Sequence, residues 1–135
     1  MFTRYLTGLA VASFVLLAGC GSAQRVGVGG IGDGLAGTVT ASWDTDASNH
    51  RGQIGRRFTY QCPAGGRAGS VWGTGVYSDD SSVCTAAVHA GAIGFDGGRV
   101  VIEIRPGQSS YSASERNGVS SAEWGAWDGS FAVVN

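Results

Sequence analysis

The segment Ser81-Ser82-Val83-Cys84-Thr85-Ala86-Ala87-Val88-His89-Ala90-Gly91 decides the fold, because it is the only stretch of the chain with a convincing helical pattern. Its apolar side chains spread over roughly 200° of a helix surface, and the polar side chains share the remaining stripe. Asp80 or Ser81 is suited to cap the first amides, and Gly91 is suited to end the helix in a left-handed conformation. A helix that is apolar over more than half of its surface has to be buried. The pattern therefore predicts one central helix, over about Ser81–Ala90, with sheets packed closely around it.

The segments on both sides of this helix have the alternation and the turn residues of short β-strands. Glycine is abundant, at 24 of 135 residues, and proline is scarce, which favours strands and tight turns over long helices. The predicted strands and short extended pieces are Thr38–Trp43, Arg57–Cys62, Val71–Gly73, Gly75–Tyr77, Arg99–Arg105 and Ser130–Val134. Pro106 is expected to stop the clearest of them. The predicted fold class is α+β, mostly β, with antiparallel sheets wrapped around the central helix.

The first twenty residues have the features of an export signal. Arg4 supplies a positive charge, and Tyr5–Leu17 is mostly apolar but shorter than the ~20 residues that a membrane-spanning helix needs. The motif Leu17-Ala18-Gly19-Cys20 resembles the lipobox of bacterial lipoproteins, which implies cleavage before Cys20 and lipid on its thiol. At least two acyl chains are then implied, enough for stable anchoring. An ordinary signal peptide with a chance cysteine, or a short membrane anchor, is the alternative.

Three regions follow from this pattern. Residues 1–19 are the predicted signal peptide, and residues 20–37 are the lipidated cysteine and a glycine-rich tether. Residues 38–135 are a single domain. The formal net charge of the chain is −1, which gives no argument for binding nucleic acid. We expect an extracytoplasmic, membrane-anchored protein, and the outer membrane if the cell has two, because Gly21 is not the aspartate that commonly retains lipoproteins at the inner one.

A family resemblance runs through the domain in three blocks and continues to its end. The blocks are Cys62-Pro63-Ala64-Gly65-Gly66, Val71-Trp72-Gly73-Thr74-Gly75-Val76-Tyr77-Ser78-Asp79-Asp80-Ser81-Ser82-Val83-Cys84 and Ala86-Ala87-Val88-His89-Ala90-Gly91. The later matching positions are Gly97-Gly98, Val100, Pro106-Gly107, Tyr111, Ser114, Asn117-Gly118-Val119 and Trp127 to Phe131. In this order they resemble the LCCL domain, over about residues 38–135. The resemblance implies a compact extracellular module with a central helix, and recognition of lipopolysaccharide or another lipid or glycan.

The cysteines depart from the pattern of the animal LCCL domains, which carry two disulfides. If Cys20 carries lipid, Cys62 and Cys84 are the only thiols left, and outside the cytoplasm such a pair is expected to form a bridge. The resemblance leaves the pairing open, because Cys62 matches the family cysteine whose usual partner lies upstream and is missing here. Two free buried thiols are the alternative.

No pattern for catalysis, for a metal or for a cofactor stands out. Ser82 and His89 lie seven residues apart on the predicted helix, which is ~10 Å along its axis and too far for a nucleophile and its base. Another serine could approach His89 from elsewhere in the chain. Asp44-Thr45-Asp46-Ala47-Ser48-Asn49 has alternate oxygen ligands but lacks the glycine and glutamate of a calcium loop. We therefore expect a protein that is not an enzyme, with His89 in a structural role.

Candidate ligand-binding residues are arginines and tryptophans. Guanidinium groups can bind phosphates of a lipid or glycolipid in a two-pronged geometry, and indole faces can contact sugars or acyl chains. The candidates are Arg51, Arg56, Arg57, Arg67, Trp124 and Trp127. The expected function is a lipid-anchored binding module for lipopolysaccharide, lipid or glycan. The alternative is a structural envelope lipoprotein that contacts peptidoglycan or a protein partner and binds no small ligand. An exposed cleft lined by aromatic and basic side chains favours the first.

Overall fold

The computed structural model of the protein describes residues 37–135. The predicted signal peptide, the lipidation site Cys20 and the tether as far as residue 36 lie outside the described residues. The described part of the chain contains one α-helix, one short 3-10 helix at Ser48–His50 and eight strands. The elements are β1 (Val39–Thr40), β2 (Arg57–Cys62), β3 (Gly73–Thr74), β4 (Val76–Ser78), α1 (Val83–His89), β5 (Gly98–Gln108), β6 (Glu115–Arg116), β7 (Val119–Ser120) and β8 (Trp127–Val133).

Six of these strands form one sheet, in the order β1-β2-β5-β8-β4-β3. The long strand β5 lies at its centre, between β2 and β8, and pairs antiparallel with both. The pairing of β1 with β2 is parallel, and the other pairings of the sheet are antiparallel. Strands β6 and β7 form a separate hairpin. The predicted mostly-β, α+β fold with one helix is confirmed.

Helix α1 supplies the centre of the hydrophobic core. All seven of its residues are buried, including the polar Thr85 and His89. Every second residue of a strand points to the same face, and the core face of β2, β5 and β8 is apolar at those positions. The sheet contributes Phe58, Tyr60, Cys62, Val100, Ile102, Ile104 and Phe131 to the core, and the helix contributes Val83, Cys84, Ala86 and Ala87. The predicted central helix is therefore present, and its predicted polar stripe is buried as well.

The N-cap of the helix lies one residue after Ser81, the later of the two predicted caps. Ser82 is the N-cap, and its hydroxyl accepts a hydrogen bond from the Thr85 N–H at 3.1 Å. Ser81 is occupied elsewhere, because its hydroxyl accepts a hydrogen bond from the Trp72 N–H at 3.0 Å. At the other end Gly91 has a φ of 84°, and its N–H donates to the Val88 carbonyl at 2.9 Å. The predicted left-handed glycine at the end of the helix is confirmed, whereas the prediction of Asp80 or Ser81 as the cap is wrong.

Strand β5 runs through Pro106, which was expected to stop it. The Ile104 N–H donates to the Arg56 carbonyl, on the side of β5 that faces β2. Because backbone groups alternate sides along a strand, the nitrogen of Pro106 points to that same side. Pro106 lies beyond the end of β2, whose pairing with β5 stops at Arg57 and Glu103. The missing N–H therefore costs no ladder hydrogen bond, and Pro106 still pairs with Gly129 of β8.

The first strand is shorter than predicted. Only Val39 and Thr40 form β1, opposite Tyr60 and Gln61. The chain then turns, because the Ser42 N–H donates to the Thr45 hydroxyl at 2.9 Å and the Thr45 N–H donates to the Ser42 carbonyl at 3.2 Å. This local network of hydroxyls competes with continued strand pairing.

A disulfide joins Cys62, at the end of β2, to Cys84, in the first turn of α1. Of the alternatives that the sequence left open, the structure has the bridge and not the two free thiols. The bond ties the helix directly to the sheet.

Within residues 37–135, the helix falls short of the length and the apolar character that crossing a membrane requires.

Candidate functional site

Two of the predicted ligand-binding residues, Arg51 and Trp127, meet at a buried carboxylate. Arg51 donates through Nε and Nη2 to the two oxygens of Asp79, at 2.7 Å each, and the Trp127 indole N–H donates to Asp79 Oδ1 at 2.9 Å. The Arg51 guanidinium also lies over the Trp127 ring, 5.4 Å from its centroid. The Asp79 side chain is only 1% exposed. Arg51 is therefore engaged in an ion pair with Asp79, and Trp127 donates a hydrogen bond to the same carboxylate.

The electrostatics of this cluster fix its charges. Burial alone would raise the pKa of Asp79, but hydrogen bonds from Arg51 and Trp127 and the charge of Arg51 together hold it below its ordinary value. The hydrogen bond to Asp79 raises the pKa of Arg51 in turn. Although Asp79 lies shortly before the helix, its carboxylate does not cap it. Its partners lie 28 and 48 residues away along the chain.

The other predicted arginines lie apart from this cluster. The Arg56 guanidinium donates to the Gln53 side chain at 2.9 Å and lies over the Phe58 ring, 5.6 Å from its centroid. Arg57 forms an ion pair with Glu103 at 3.0 Å, on the face of the sheet away from the core. Arg67 is exposed in the loop after β2. The structure therefore does not gather the four arginines into one basic site.

Trp124 is the most exposed of the predicted aromatic residues, at 51%. It borders a groove of about 700 Å³ whose other lining residues come from two loops. The lining residues are Ser110, Tyr111, Ser112, Ala113, Glu123, Trp124 and Gly125. The backbone beneath Trp124 is held by two hydrogen bonds with Tyr111, at 2.8 and 3.0 Å. Tyr111 is itself buried, so the exposed indole stands on an ordered support.

Two smaller depressions are connected to this groove through the contact between Trp72 and Trp124. Trp72 lines both of them, and it meets Trp124 edge to face with ring centroids 6.3 Å apart. One depression, of about 370 Å³, lies between the chain at 69–72 and the chain at 120–122, which pair in parallel through Trp72 and Ala122. The other, of about 230 Å³, reaches Asp44, Asp80 and the edge of Trp43. We call these three connected depressions the tryptophan groove.

Trp43 also lines the groove but, unlike the exposed indole of Trp124, its indole is packed against neighbouring residues. Its indole N–H donates to the Pro63 carbonyl at 3.0 Å, and its ring stacks on Phe95 with centroids 5.5 Å apart. The ring also lies directly over Gly66, where any side chain would collide with it. The accessible indoles of the groove are therefore those of Trp124 and Trp72, and the packed ring of Trp43 forms one end of the groove.

A family match covers most of the described chain. The family model of the LCCL domain matches residues 38–131, from just before β1 to the middle of β8. The chain belongs to the LCCL domain family. The match includes every residue that lines the tryptophan groove, as well as the disulfide and the central helix.

Relatives of this LCCL domain are modules of much longer proteins. Over 83 residues it is 43% identical to vitrin of Mus musculus, and the match covers 60% of this chain and 13% of vitrin. It is 46% identical to cochlin of Mus musculus over 65 residues, which are 48% of this chain and 12% of cochlin. It is 39% identical to clotting factor C of Tachypleus tridentatus over 82 residues, 59% of this chain and 8% of that protein. The chain therefore spans only 8% to 13% of the length of these relatives.

His89 of the LCCL domain does meet a serine, although not Ser82. Its Nε2 lies 3.1 Å from the Ser114 hydroxyl, and its Nδ1 lies 2.9 Å from the Tyr77 hydroxyl. The Ser114 hydroxyl is shared with Thr74 at 2.6 Å. Both nitrogens of His89 thus have partners, and its side chain is completely buried. The orienting partner of the ring is a phenol rather than a carboxylate, so the arrangement holds the helix against the loop at Ser114.

The acidic loop that resembles a calcium site is a structural turn. Asp46 accepts hydrogen bonds from the Ser48 N–H at 3.0 Å and from the Ser48 hydroxyl at 2.6 Å. Among residues 37–135, no group of three or more histidine, cysteine or acidic side chains is arranged to hold a metal ion.

Several groove residues were not found from the sequence. The serines at 70, 110, 112 and 120 and the carboxylate of Glu123 come from three separate segments of the chain that the fold brings together. Trp124 had a local signal, since it lies among glycine and alanine with no apolar run around it. The serines had none, because serines are common on the surface of every protein.

Proposed function

We propose that this protein is an extracytoplasmic binding module, held at a membrane by lipid on Cys20, that recognises a saccharide-bearing ligand such as lipopolysaccharide or another glycan in the tryptophan groove. The observation that carries the proposal is Trp124, half exposed on an ordered backbone beside a groove of about 700 Å³. A large exposed aromatic side chain next to a concave, partly polar surface is typical of a binding site.

Membership of the LCCL family supports a binding role, and the disulfide between Cys62 and Cys84 fits an oxidising compartment outside the cytoplasm. We propose further that the protein is not an enzyme. His89 is buried with both nitrogens bonded, and it does not border any of the depressions of the groove. A structural role in the envelope without a small ligand is the competing function, and the experiment below decides between the two.

The proposal is tested by direct binding of the full chain, purified from membranes in a mild non-ionic detergent and captured on a sensor surface. The probes are the water-soluble saccharide of lipopolysaccharide, with its acyl chains removed, and oligomers of N-acetylglucosamine. We expect saturable binding of at least one probe, weakened about tenfold or more by Trp124→Ala, because exposed aromatic anchors dominate such sites.

Ile54→Ala is the matched control, because Ile54 is 52% exposed, as much as Trp124, and lies outside the groove. It is expected to leave binding unchanged. Absence of binding to every probe, by a chain that unfolds cooperatively, contradicts the proposed function and favours the structural role.

A further inference from the structure

The charges of the tryptophan groove are acidic. The described residues that line its three depressions include Asp44, Asp80 and Glu123 but no arginine. The chain has no lysine at all. The groove therefore lacks the cationic side chains that usually bind phosphate groups.

From this we infer that the groove binds an extended oligosaccharide through its uncharged sugar rings and not through phosphate. The inference rests on the proposed function and names the chemistry that the same site recognises. A phosphate placed in the groove would face carboxylates at short range, and like charges repel most strongly where water is partly excluded. An uncharged sugar meets no such repulsion.

Three of the arginines that could serve a phosphate lie outside the groove lining and have acidic partners. Arg51 is paired with the buried Asp79, and Arg57 and Arg105 both lie 3.0 Å from Glu103. Arg57 lies on β2 and Arg105 lies on β5. In the sheet, β8 and β4 lie between these two strands and β3, which directly follows the groove residue Trp72. The positive charges of these three arginines are thus neutralised by carboxylates outside the groove, and none of the three lines it.

The side chains of the groove suit the two kinds of surface that a sugar ring presents. The faces of a sugar ring carry C–H groups, which pack against the electron-rich face of an indole such as Trp124. Its rim carries hydroxyl groups, which donate to carboxylates and exchange hydrogen bonds with serine hydroxyls. Glu123, Ser110 and Ser112 lie beside Trp124 in the largest depression. Ser70 and Ser120 lie beside Trp72 in the next one.

The two indoles are placed to contact more than one ring. Trp124 and Trp72 border connected depressions and meet edge to face, so their accessible surfaces are not parallel. A chain of sugars that crosses from one depression to the next contacts both. The backbone on each side is already ordered, through the hydrogen bonds of Trp124 with Tyr111 and of Trp72 with Ser81. Little ordering is then needed on binding.

The test compares one saccharide with and without phosphate, on the captured full chain. The probes are the deacylated saccharide of lipopolysaccharide, the same saccharide after phosphatase treatment, and the monomer and tetramer of N-acetylglucosamine. Each is measured at about 50 mM and about 500 mM salt, because phosphate recognition by arginine weakens on screening and neutral recognition does not. The variants are Trp124→Ala, Arg57→Gln and the control Ile54→Ala.

The expected result is that the tetramer binds at least about tenfold more tightly than the monomer, and that neither phosphatase treatment nor high salt weakens binding. Trp124→Ala then reduces affinity about tenfold, while Arg57→Gln and Ile54→Ala leave it unchanged. Binding that is lost on phosphatase treatment, whether or not it also falls with Arg57→Gln, overturns the inference, yet leaves the proposed binding function intact. Absence of binding to all four probes overturns both.

Discussion

The carboxylate of Asp79 stays charged although its side chain is 1% exposed, because Arg51 and Trp127 both donate to it. Removing one member of a buried ion pair leaves the other without compensation, which costs more than the pair itself contributes. The neighbouring strand adds a steric condition. A side chain at position 129 would collide with Asp79 Oδ2, so Gly129 is required where β8 passes the carboxylate.

Replacing Asp79 with asparagine keeps the shape of the side chain and removes its charge. We expect a loss of about 3 kcal/mol in the free energy of unfolding near pH 7, at the low end of the range for buried pairs because Arg51 is partly exposed. The measurement is urea-induced unfolding followed by circular dichroism. Asp96→Asn is the control, since Asp96 is exposed, and it should change stability by less than about 0.5 kcal/mol.

The same variant tests the pH dependence. The pKa of Asp79 is lowered in the folded protein, so the unfolded chain takes up a proton first as the pH falls. The stability that Asp79 contributes is therefore complete above its unfolded pKa, about 3.9, and is lost as the pH falls through that value toward the folded one. The difference in unfolding free energy between the wild type and Asp79→Asn should shrink steadily below about pH 4. A difference that stays constant down to pH 2 would contradict the charged pair.

At the scale of elements, helix α1 depends on its N-cap more than its length suggests. It has seven residues, so few of its amides have partners within the helix itself. The Ser82 hydroxyl accepts from the Thr85 N–H and also donates to the Trp43 carbonyl at 2.7 Å. The cap thus joins the helix to the loop after β1 as well as satisfying its first turn.

Ser82→Ala is expected to destabilise the fold by about 1 to 2 kcal/mol, the usual cost of losing a serine cap. For a domain of this size the midpoint of thermal unfolding should fall by at least about 4 °C. Differential scanning calorimetry of the full chain measures it. Ser109→Ala, at an exposed position, is the control. A midpoint shift no larger than that of the control would show that water replaces the cap.

The elements differ in how far the sequence determines them. The helix was predicted because its cap region, apolar face and closing Gly91 all lie within eleven consecutive residues. Pro106 was misjudged because its effect depends on where β2 ends, and no local pattern states that. The ion pair of Asp79 has no local pattern either, because its partners lie 28 and 48 residues away along the chain. The same holds for the groove: Trp124 was among the candidate ligand-binding residues, and the serines around it were not.

At the scale of the whole molecule, the disulfide between Cys62 and Cys84 joins the two layers of the core. It closes a loop whose ends are 22 positions apart, and such a constraint on the unfolded chain is worth about 3 kcal/mol. We expect the double variant Cys62→Ala with Cys84→Ala to lose about that amount in urea unfolding. Addition of a thiol reductant should destabilise the wild type equally and leave the double variant unaffected. A reductant effect on both would point to a cause other than this bond.

The proposed lipid on Cys20 determines where this whole assembly works. The predicted tether would place the domain close to the membrane surface, because a glycine-rich chain of about seventeen residues has an average span of roughly 23 Å. Two or more acyl chains hold such a protein stably, whereas a single chain holds it only marginally. The tryptophan groove would then meet ligands concentrated at that surface.

Cys20→Ser tests the anchor, with the lipid itself as the readout. The wild type, expressed in a bacterium grown with labelled fatty acid, should carry the label and run at the mass of a chain cleaved before residue 20. The variant should carry no label and keep its signal peptide, because lipid transfer to the thiol precedes cleavage in the lipoproteins that the motif resembles. Cys84→Ser controls for the loss of a cysteine as such and should keep the label.

Membrane fractionation alone would not decide between the two interpretations, since an uncleaved apolar signal peptide also binds membranes. Cleavage of the unlabelled variant at the same site would instead identify an ordinary signal peptide, and the domain would then act as a secreted module.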